Sequence, residues 1–260
     1  MRSRLLTLIV SAAALGALSV QSAGATAAID ERAATFLEAF SSVGEHFETN
    51  IGQMGGDVLY AFRKDGYRLE LLQEGVRLAM PQSNSGGPEP MQIQFRGSSG
   101  AAIANGVNPL PFQVMQRPVR DGVRQALQPV STFGSVMIES VYEGVNVQYR
   151  VNEGRVQFDF IVEPGADPSR IRLGMNGADD VAIDGEGDLL VRFQSAELRQ
   201  SKPYVFQNVE GQEVEVDGSY FLGSDGSVQF SLGSYDNRLP LIIDPILTVV
   251  PKTEINDLAE

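Results

Sequence analysis

The sequence predicts an all-β protein, built as an antiparallel β-sandwich or as stacked β-meander sheets with one short N-terminal helix. Apolar and polar residues alternate in many short segments, as at Val58, Tyr60 and Phe62, and this period of two is typical of strands with one buried face. Turns containing Asp-Gly or Glu-Gly separate the segments, about every 8–12 residues in the second half of the chain. The chain contains no Cys, so its stability must come from its core rather than from disulfides.

Residues 1–25 have the three-part layout of a secretory signal peptide. Arg2 and Arg4 are positive, residues 5–20 are apolar or small, and Ala23-Gly24-Ala25 offers a small-residue cleavage site. The strongly apolar core is too short for a membrane-spanning helix of about 20 residues. We therefore predict an extracytoplasmic protein (secreted, periplasmic or on the cell surface) with no membrane insertion after signal removal.

The composition narrows the choice of partners. The net charge is -13, and nucleic acid and anionic lipid carry the same sign, so an acidic surface disfavours both. The absence of Cys also excludes thiol catalysis and Cys-ligated metal sites. We expect a protein or a surface polymer as partner, no nucleic acid and no cofactor.

After the signal peptide, the sequence divides into one domain and a tail. Residues 26–96 contain the N-terminal helix and a first β-meander, residues 97–133 form an irregular connection, residues 134–248 are the β-rich half of the same domain, and residues 249–260 are a C-terminal tail. Apolar residues three and four apart predict an amphipathic helix over residues 29–47. The connection is rich in Gly, Pro and Asn, with one short helix over residues 118–127.

Alternation in the β-rich half places particular side chains in the core. Val156, Phe158, Phe160 and Val162 share one face of a predicted hairpin strand, while Asp159 points the other way. The remaining predicted strands of the chain cover residues 58–62, 67–71, 76–80, 91–95, 145–151, 171–175, 181–183, 189–193, 214–216, 220–222 and 228–232.

Familiar catalytic arrangements are missing from the sequence. His46 is the only histidine, so it would have to be the base of any serine triad. It falls at the end of the predicted helix, and no Gly-x-Ser-x-Gly segment is present. We expect His46 to be a solvated residue at the helix end. Zinc catalysis lacks ligands, because there is neither a second His nor a Cys.

An acidic turn provides the candidate metal ligands. Asp184, Glu186 and Asp188 alternate with glycines as in a calcium loop. However, Leu189 stands where a calcium loop has Gly, and predicted strands flank the segment, so a hairpin turn is the better interpretation. Asp179 and Asp180, from a neighbouring loop, could add ligands. Calcium therefore remains the minor hypothesis.

Two other functions stay open as alternatives. A hydrolase could use a pair of Asp or Glu side chains, because distance along the sequence does not give distance in space. A carbohydrate-binding module usually offers flat aromatic faces, but the chain has no Trp. The available rings are Tyr60, Tyr67, Tyr142, Tyr149, Tyr204, Tyr220 and Tyr235, and most of them alternate with predicted core positions.

Five segments together resemble a bacterial domain that precedes SBBP (β-propeller type) repeats. They are Phe47-Glu48-Thr49-Asn50-Ile51-Gly52-Gln53, Val141-Tyr142-Glu143-Gly144-Val145-Asn146-Val147-Gln148-Tyr149, Phe158-Asp159-Phe160-Ile161-Val162-Glu163-Pro164-Gly165-Ala166-Asp167-Pro168, Pro203-Tyr204-Val205-Phe206-Gln207 and Leu241-Ile242-Ile243-Asp244-Pro245. The resemblance covers residues 47–245, but residues 108–131 lack the family's aromatic-Gly stretch, and no propeller repeats follow Pro245 in the sequence.

The resemblance implies a secreted or surface-attached domain of unknown biochemical role, with no catalytic residues to carry over. The leading hypothesis is therefore a secreted, non-enzymatic β-domain that serves assembly or protein binding at the cell surface or in the periplasm.

Overall fold

A computed structural model describes residues 45–64, 67–79, 91–152, 155–193, 196–245 and 247–251 of the chain. Nearly all of these residues lie in or between antiparallel strands, which confirms the all-β prediction. The helical element among them is a single 3-10 turn at Pro168–Arg170. None of the described residues belongs to a helix long and apolar enough to cross a membrane.

Several predicted segments lie outside the described residues. They are the signal peptide, most of the N-terminal helix, the loop over residues 81–90 and most of the C-terminal tail. The last residues of the predicted helix are described, and Phe47 begins a strand instead. Its side chain is fully buried, and helical spacing alone cannot distinguish a buried strand end from a helix face.

The strands alternate with short turns throughout the described chain. In order they are β1 (Phe47–Thr49), β2 (Val58–Lys64), β3 (Tyr67–Leu72), β4 (Gly75–Ala79), β5 (Met91–Phe95), β6 (Ile103–Gln116), β7 (Val119–Arg120), β8 (Val123–Arg124), β9 (Gln128–Tyr142), β10 (Val145–Asn152), β11 (Arg155–Val162), β12 (Leu173–Asn176), β13 (Asp180–Ile183), β14 (Leu189–Arg192), β15 (Ala196–Gln200), β16 (Tyr204–Val209), β17 (Gln212–Val216), β18 (Gly218–Leu222), β19 (Val228–Leu232), β20 (Leu241–Asp244) and β21 (Leu247–Pro251).

Fifteen strands form one continuous sheet that folds back on itself. Its order is β17-β16-β20-β11-β10-β9-β1-β2-β3-β4-β5-β12-β19-β18, and β6 pairs with the other edge of β9. Only Asp217 separates β17 from β18, so the two ends of the strand order lie next to each other in the chain. The ring of Phe160 on β11 packs against Phe95 on β5, at 5.6 Å, and against Phe230 on β19, at 5.9 Å. The two halves of the sheet therefore face each other across one core, as in a sandwich.

Strand β9 belongs to both halves of this sandwich. Its first part pairs with β1 at Thr132 and Phe133, and its second part pairs with β10 from Ser135 onward. Strand β6 pairs with the opposite edge of β9 from Gln128 to Glu139. Strands β6 and β9, with the β7–β8 hairpin between them, make a long two-stranded ribbon over residues 103–142, which we call the arm.

The arm corrects the prediction of an irregular connection over residues 97–133. Pro109 and Pro111 lack a backbone donor, but β6 pairs with β9 alone among the described strands, and proline is tolerated on such an edge. The short helix expected over residues 118–127 is also wrong. Asp121 and Gly122 both have positive φ, 51° and 76°, as a tight hairpin turn between β7 and β8 requires.

A separate four-stranded sheet, β13-β14-β15-β21, contributes to the same core. Leu189, Val191, Phe193 and Leu198 are buried with the core residues of the large sheet. The structure confirms each of the predicted strands listed above, while β1, β6–β9, β15, β16, β20 and β21 were not predicted. Strand β9 begins at Gln128, before the predicted start of the β-rich half, and β21 covers the first residues of the predicted tail.

We expect Phe158→Ala and Phe160→Ala each to destabilise the protein by about 3–5 kcal/mol, the usual cost of deleting a buried Phe ring. Both rings are essentially inaccessible to solvent, at 1% and 0% exposure. Urea denaturation would measure the loss. Phe221→Ala is the matched control, because Phe221 is 42% exposed and its removal leaves no internal cavity. Midpoints that stay unchanged in both core variants would show that this face is not the core.

Candidate functional site

The acidic turn at Asp184, Glu186 and Asp188 surrounds the guanidinium group of Arg199. Carboxylate oxygens of the three residues lie within 4.8 Å of one another. Nη2 of Arg199, on β15, lies 3.2, 3.2 and 2.8 Å from oxygens of Asp184, Glu186 and Asp188. The guanidinium group therefore stands where a calcium ion would have to bind.

The same carboxylates also shape the turn between β13 and β14. Oδ1 of Asp184 accepts the backbone N–H groups of Glu186, at 2.9 Å, and Asp188, at 3.0 Å. The N–H of Asp188, the N–H of Glu186 and the charge of Arg199 together hold the pKa of Asp184 below its usual value. Strand pairing from Asp180 to Ile183 confirms the hairpin interpretation. Asp180 pairs with Arg192 at 2.8 Å and does not join the cluster, nor does Asp179.

His46 lies directly before β1 and is partly buried, not solvated at the end of a helix. Its ring packs edge-on against Phe112 of β6, with centroids 5.3 Å apart. The expectation of a solvated histidine was wrong because β6 was not predicted.

A groove lies at the turns that follow β5, β9 and β11. Its volume is about 560 Å³, and Arg96, Tyr142, Glu143, Asp167, Arg172 and Asp225 are among its lining residues. A second groove of about 450 Å³ shares Glu143, Asp167 and Arg170 with it. Residues of the segments that carry the family resemblance therefore line much of this surface.

The charges in the groove are balanced within the chain. Arg170 pairs with Glu143 at 3.0 Å, and the guanidinium groups of Arg96 and Arg172 lie 4.0 and 3.8 Å from Asp225. The hydroxyl of Tyr142 donates to the carbonyl of Arg172 and accepts its N–H. Burial raises the pKa of Tyr142 to about 12, so this hydroxyl does not titrate near neutral pH. These groups make a poor acid–base site.

Asp159 and Asp244 form a carboxyl pair on the outer face of β11 and β20. Arg150 forms an ion pair with Oδ2 of Asp159. The Oδ1 atoms of Asp159 and Asp244 are both buried, and neither has a donor among the described residues. Burial and the neighbouring charge of Asp244 raise the pKa of Asp159 to about 7. One shared proton would give both oxygens a hydrogen bond. Neither side chain lines the two grooves, so the pair is not placed to attack a substrate bound there.

The tyrosines do not form an aromatic platform. Tyr142, Tyr149 and Tyr220 are buried, Tyr60 and Tyr235 are half-buried, and the side chain of Tyr67 is outside the described part. Tyr204 is 41% exposed and stacks on Phe206 with centroids 5.3 Å apart.

Exposed apolar side chains instead mark two other surfaces. Ten large hydrophobic residues of the described chain are exposed, five in the arm and five in residues 204–222. They are Ile103, Met115, Val119, Val123, Leu127, Tyr204, Val209, Val214, Phe221 and Leu222. Contiguous exposed apolar residues often mark binding surfaces. Sequence reasoning missed the first surface because it treated the arm as a connection.

The end of the arm, residues 115–127, is basic. It carries Arg117, Arg120, Asp121 and Arg124, a net charge of +2 in an acidic chain. We call these residues the arm tip. Residues 204–222, which we call the acidic patch, carry three Glu and one Asp and no basic residue, a net charge of -4. The two apolar surfaces therefore have opposite charge.

Calcium should not change the melting temperature, because it would have to displace Arg199 from the three carboxylates. Magnesium serves as the control cation. A metal that binds only the folded state would raise the melting temperature as its concentration rises. A shift of several degrees with calcium alone, abolished by Asp184→Asn with Asp188→Asn, would contradict this expectation.

In the Asp159→Asn variant, the free energy of unfolding should lose a pH dependence that it has in the natural protein. The folded-state pKa of about 7 lies above the unfolded value, about 3.9. The contribution of Asp159 to the free energy of unfolding is therefore complete below about pH 4 and is lost as the pH rises to about 7, by at most about 1.4 kcal/mol per pH unit. An amide can donate the same hydrogen bond without titrating.

Urea denaturation from pH 4 to pH 7.5 would measure the difference between the variant and the natural protein. That difference should change across the acidic range, and the exposed control Asp217→Asn should show no such trend. Parallel stability profiles of Asp159→Asn and the natural protein would refute the shared proton.

Comparison with known proteins places the chain in a family. No curated protein and no solved structure matches it. A family model described as a domain of unknown function, DUF7948, matches residues 47–246, nearly the range that carries the resemblance. Because this match spans well over half of the sequence, the chain belongs to the DUF7948 family of domains of unknown function.

Proposed function

We propose that this chain is a non-enzymatic protein-binding domain that acts in assembly at the cell surface or in the periplasm. The observation that carries the proposal is the arm tip, which presents Met115, Val119, Val123 and Leu127 to solvent beside three arginines. Apolar side chains next to Arg are typical of protein interfaces.

The arm tip is held in place before any partner binds. The N–H of Val119 donates to the carbonyl of Gly52 at 2.8 Å, and Pro118 is buried beside the same loop. Each face of the β7–β8 hairpin carries one valine and one arginine, because Val119 pairs with Arg124 and Arg120 pairs with Val123. A surface already fixed in this way loses less conformational entropy on binding.

The arginines of the arm tip have no carboxylate partner among the described residues. Arg120 and Arg124 form no ion pair with the described residues, and Arg117 contacts only the carbonyl of Gln125, at 3.2 Å. Elsewhere most exposed arginines have a carboxylate partner, as Arg192 and Arg238 do. The tip is therefore the surface from which a partner with acidic groups would gain most.

The extracytoplasmic location rests on the signal-peptide layout of residues 1–25. The resemblance to the bacterial domain that precedes SBBP repeats supports the same location and a role in surface assembly. The alternatives have less support, since Tyr204 is the one exposed tyrosine of those described, and the close carboxylates are tied to Arg199 or to each other.

The proposal is tested by capture from the native envelope with the natural protein and with Arg120→Glu plus Arg124→Glu. We expect specific partners to be lost from the variant, because reversing both charges opposes an acidic surface. The control is Arg192→Glu plus Arg238→Glu, which changes the net charge equally outside the arm. Thermal melting would verify that both variants fold. Identical captured proteins with all three baits would contradict the proposal.

A further inference from the structure

We infer that the arm tip binds the acidic patch of a second copy of this chain. This inference rests on the proposed function and names the partner. It would cover exposed apolar side chains of both surfaces at once.

The outer face of β16 and β17 carries carboxylates and aromatic rings that the arginines of the arm tip could contact. Glu215 lies directly across from Phe206, and Glu213 lies across from Asn208, so both carboxylates share a face with the stacked pair Tyr204 and Phe206. Glu213 and Glu215 are exposed and form no ion pair with the described residues. This face can pair with two guanidinium groups and also stack against them.

Strand β17 is also an open edge. It pairs with β16 alone among the described strands, and its residues Gln212 to Glu215 are all exposed. The apolar residues Val209 and Val214 lie on the other face of the same hairpin. On the face that carries the two glutamates, the valines of the arm tip would therefore meet the rings of Tyr204 and Phe206.

A single copy does not bring the two surfaces together. Strands β20, β11 and β10 lie between β16 and β9 in the sheet, each about 4.8 Å wide. The arm tip is fixed to Gly52, which follows β1, and β1 comes after β9 in the strand order. No hydrogen bond or ion pair between the arm tip and the acidic patch occurs among the described residues. The contact therefore requires a second molecule.

The experiment follows the mass of the exported chain by sedimentation over a range of concentrations. Three proteins are compared with the natural one. The first is Arg120→Glu with Arg124→Glu. The second is Glu213→Arg with Glu215→Arg. The third is a control, Glu74→Arg with Asp179→Arg, which reverses two exposed charges outside both surfaces.

The natural protein and the control should associate, and more salt should weaken the association. The arm-tip variant and the acidic-patch variant, each tested alone, should lose this association, with an apparent Kd at least about tenfold higher. An equimolar mixture of the two patch variants should associate again, because it contains one intact contact and one with both charges exchanged. This restoration distinguishes direct pairing from misfolding of either variant.

A natural protein that stays monomeric, or a mixture that fails to associate, would overturn the inference. Binding of the arm tip to anionic lipid vesicles without self-association would overturn it too, since the partner would then be a lipid surface. Arm-dependent capture of other envelope proteins by a monomeric chain would refute self-association while leaving the proposed function intact.

Discussion

The fold depends on β9 pairing with two different strands along one edge. Its first part holds β1 and the meander that follows, and its second part holds β10 and β11. Because a strand has only two edges, this arrangement leaves β6 as its partner on the other side, from Gln128 to Glu139. The arm is therefore part of the connection between the two halves of the sandwich, and its position is fixed by the core that those halves enclose.

The buried carboxylates of the protein have partners that compensate their charge. Glu48 and Glu70 are 1% and 3% exposed, but Arg63 and Gln116 contact the first, and Arg68 and Arg77 contact the second. Arg63 and Arg77 thereby join neighbouring strands of the meander, and Gln116 joins the arm to β1. Breaking such a pair would leave a buried charge without compensation, which is costly. The environment of Asp159 is different. Arg150 forms an ion pair with one oxygen of its carboxyl group, and the other oxygen lies near Asp244.

Local sequence signals were sufficient where a strand and its neighbour are adjacent in the chain. Val145–Asn152 and Arg155–Val162 pair as their alternation predicted. The prediction failed for the arm because its prolines and glycines suggested a loop, although Asp-Gly, at residues 121–122 as at residues 217–218, is a typical hairpin signal. At Asp217 the chain instead crosses between the two halves. The contact of Arg199 with the acidic turn, and that of Asp159 with Asp244, could not be predicted, since each depends on a strand order that local periodicity does not contain.

Pro109 and Pro111 have a consequence for how the protein can meet others. An exposed strand edge attracts further strands through backbone hydrogen bonds, which recognise almost any extended peptide and lead to aggregation. Two missing donors in the middle of β6 interrupt that pattern. Strand addition is therefore disfavoured along the middle of β6. Any partner that met this edge would be recognised by its side chains rather than by its backbone alone.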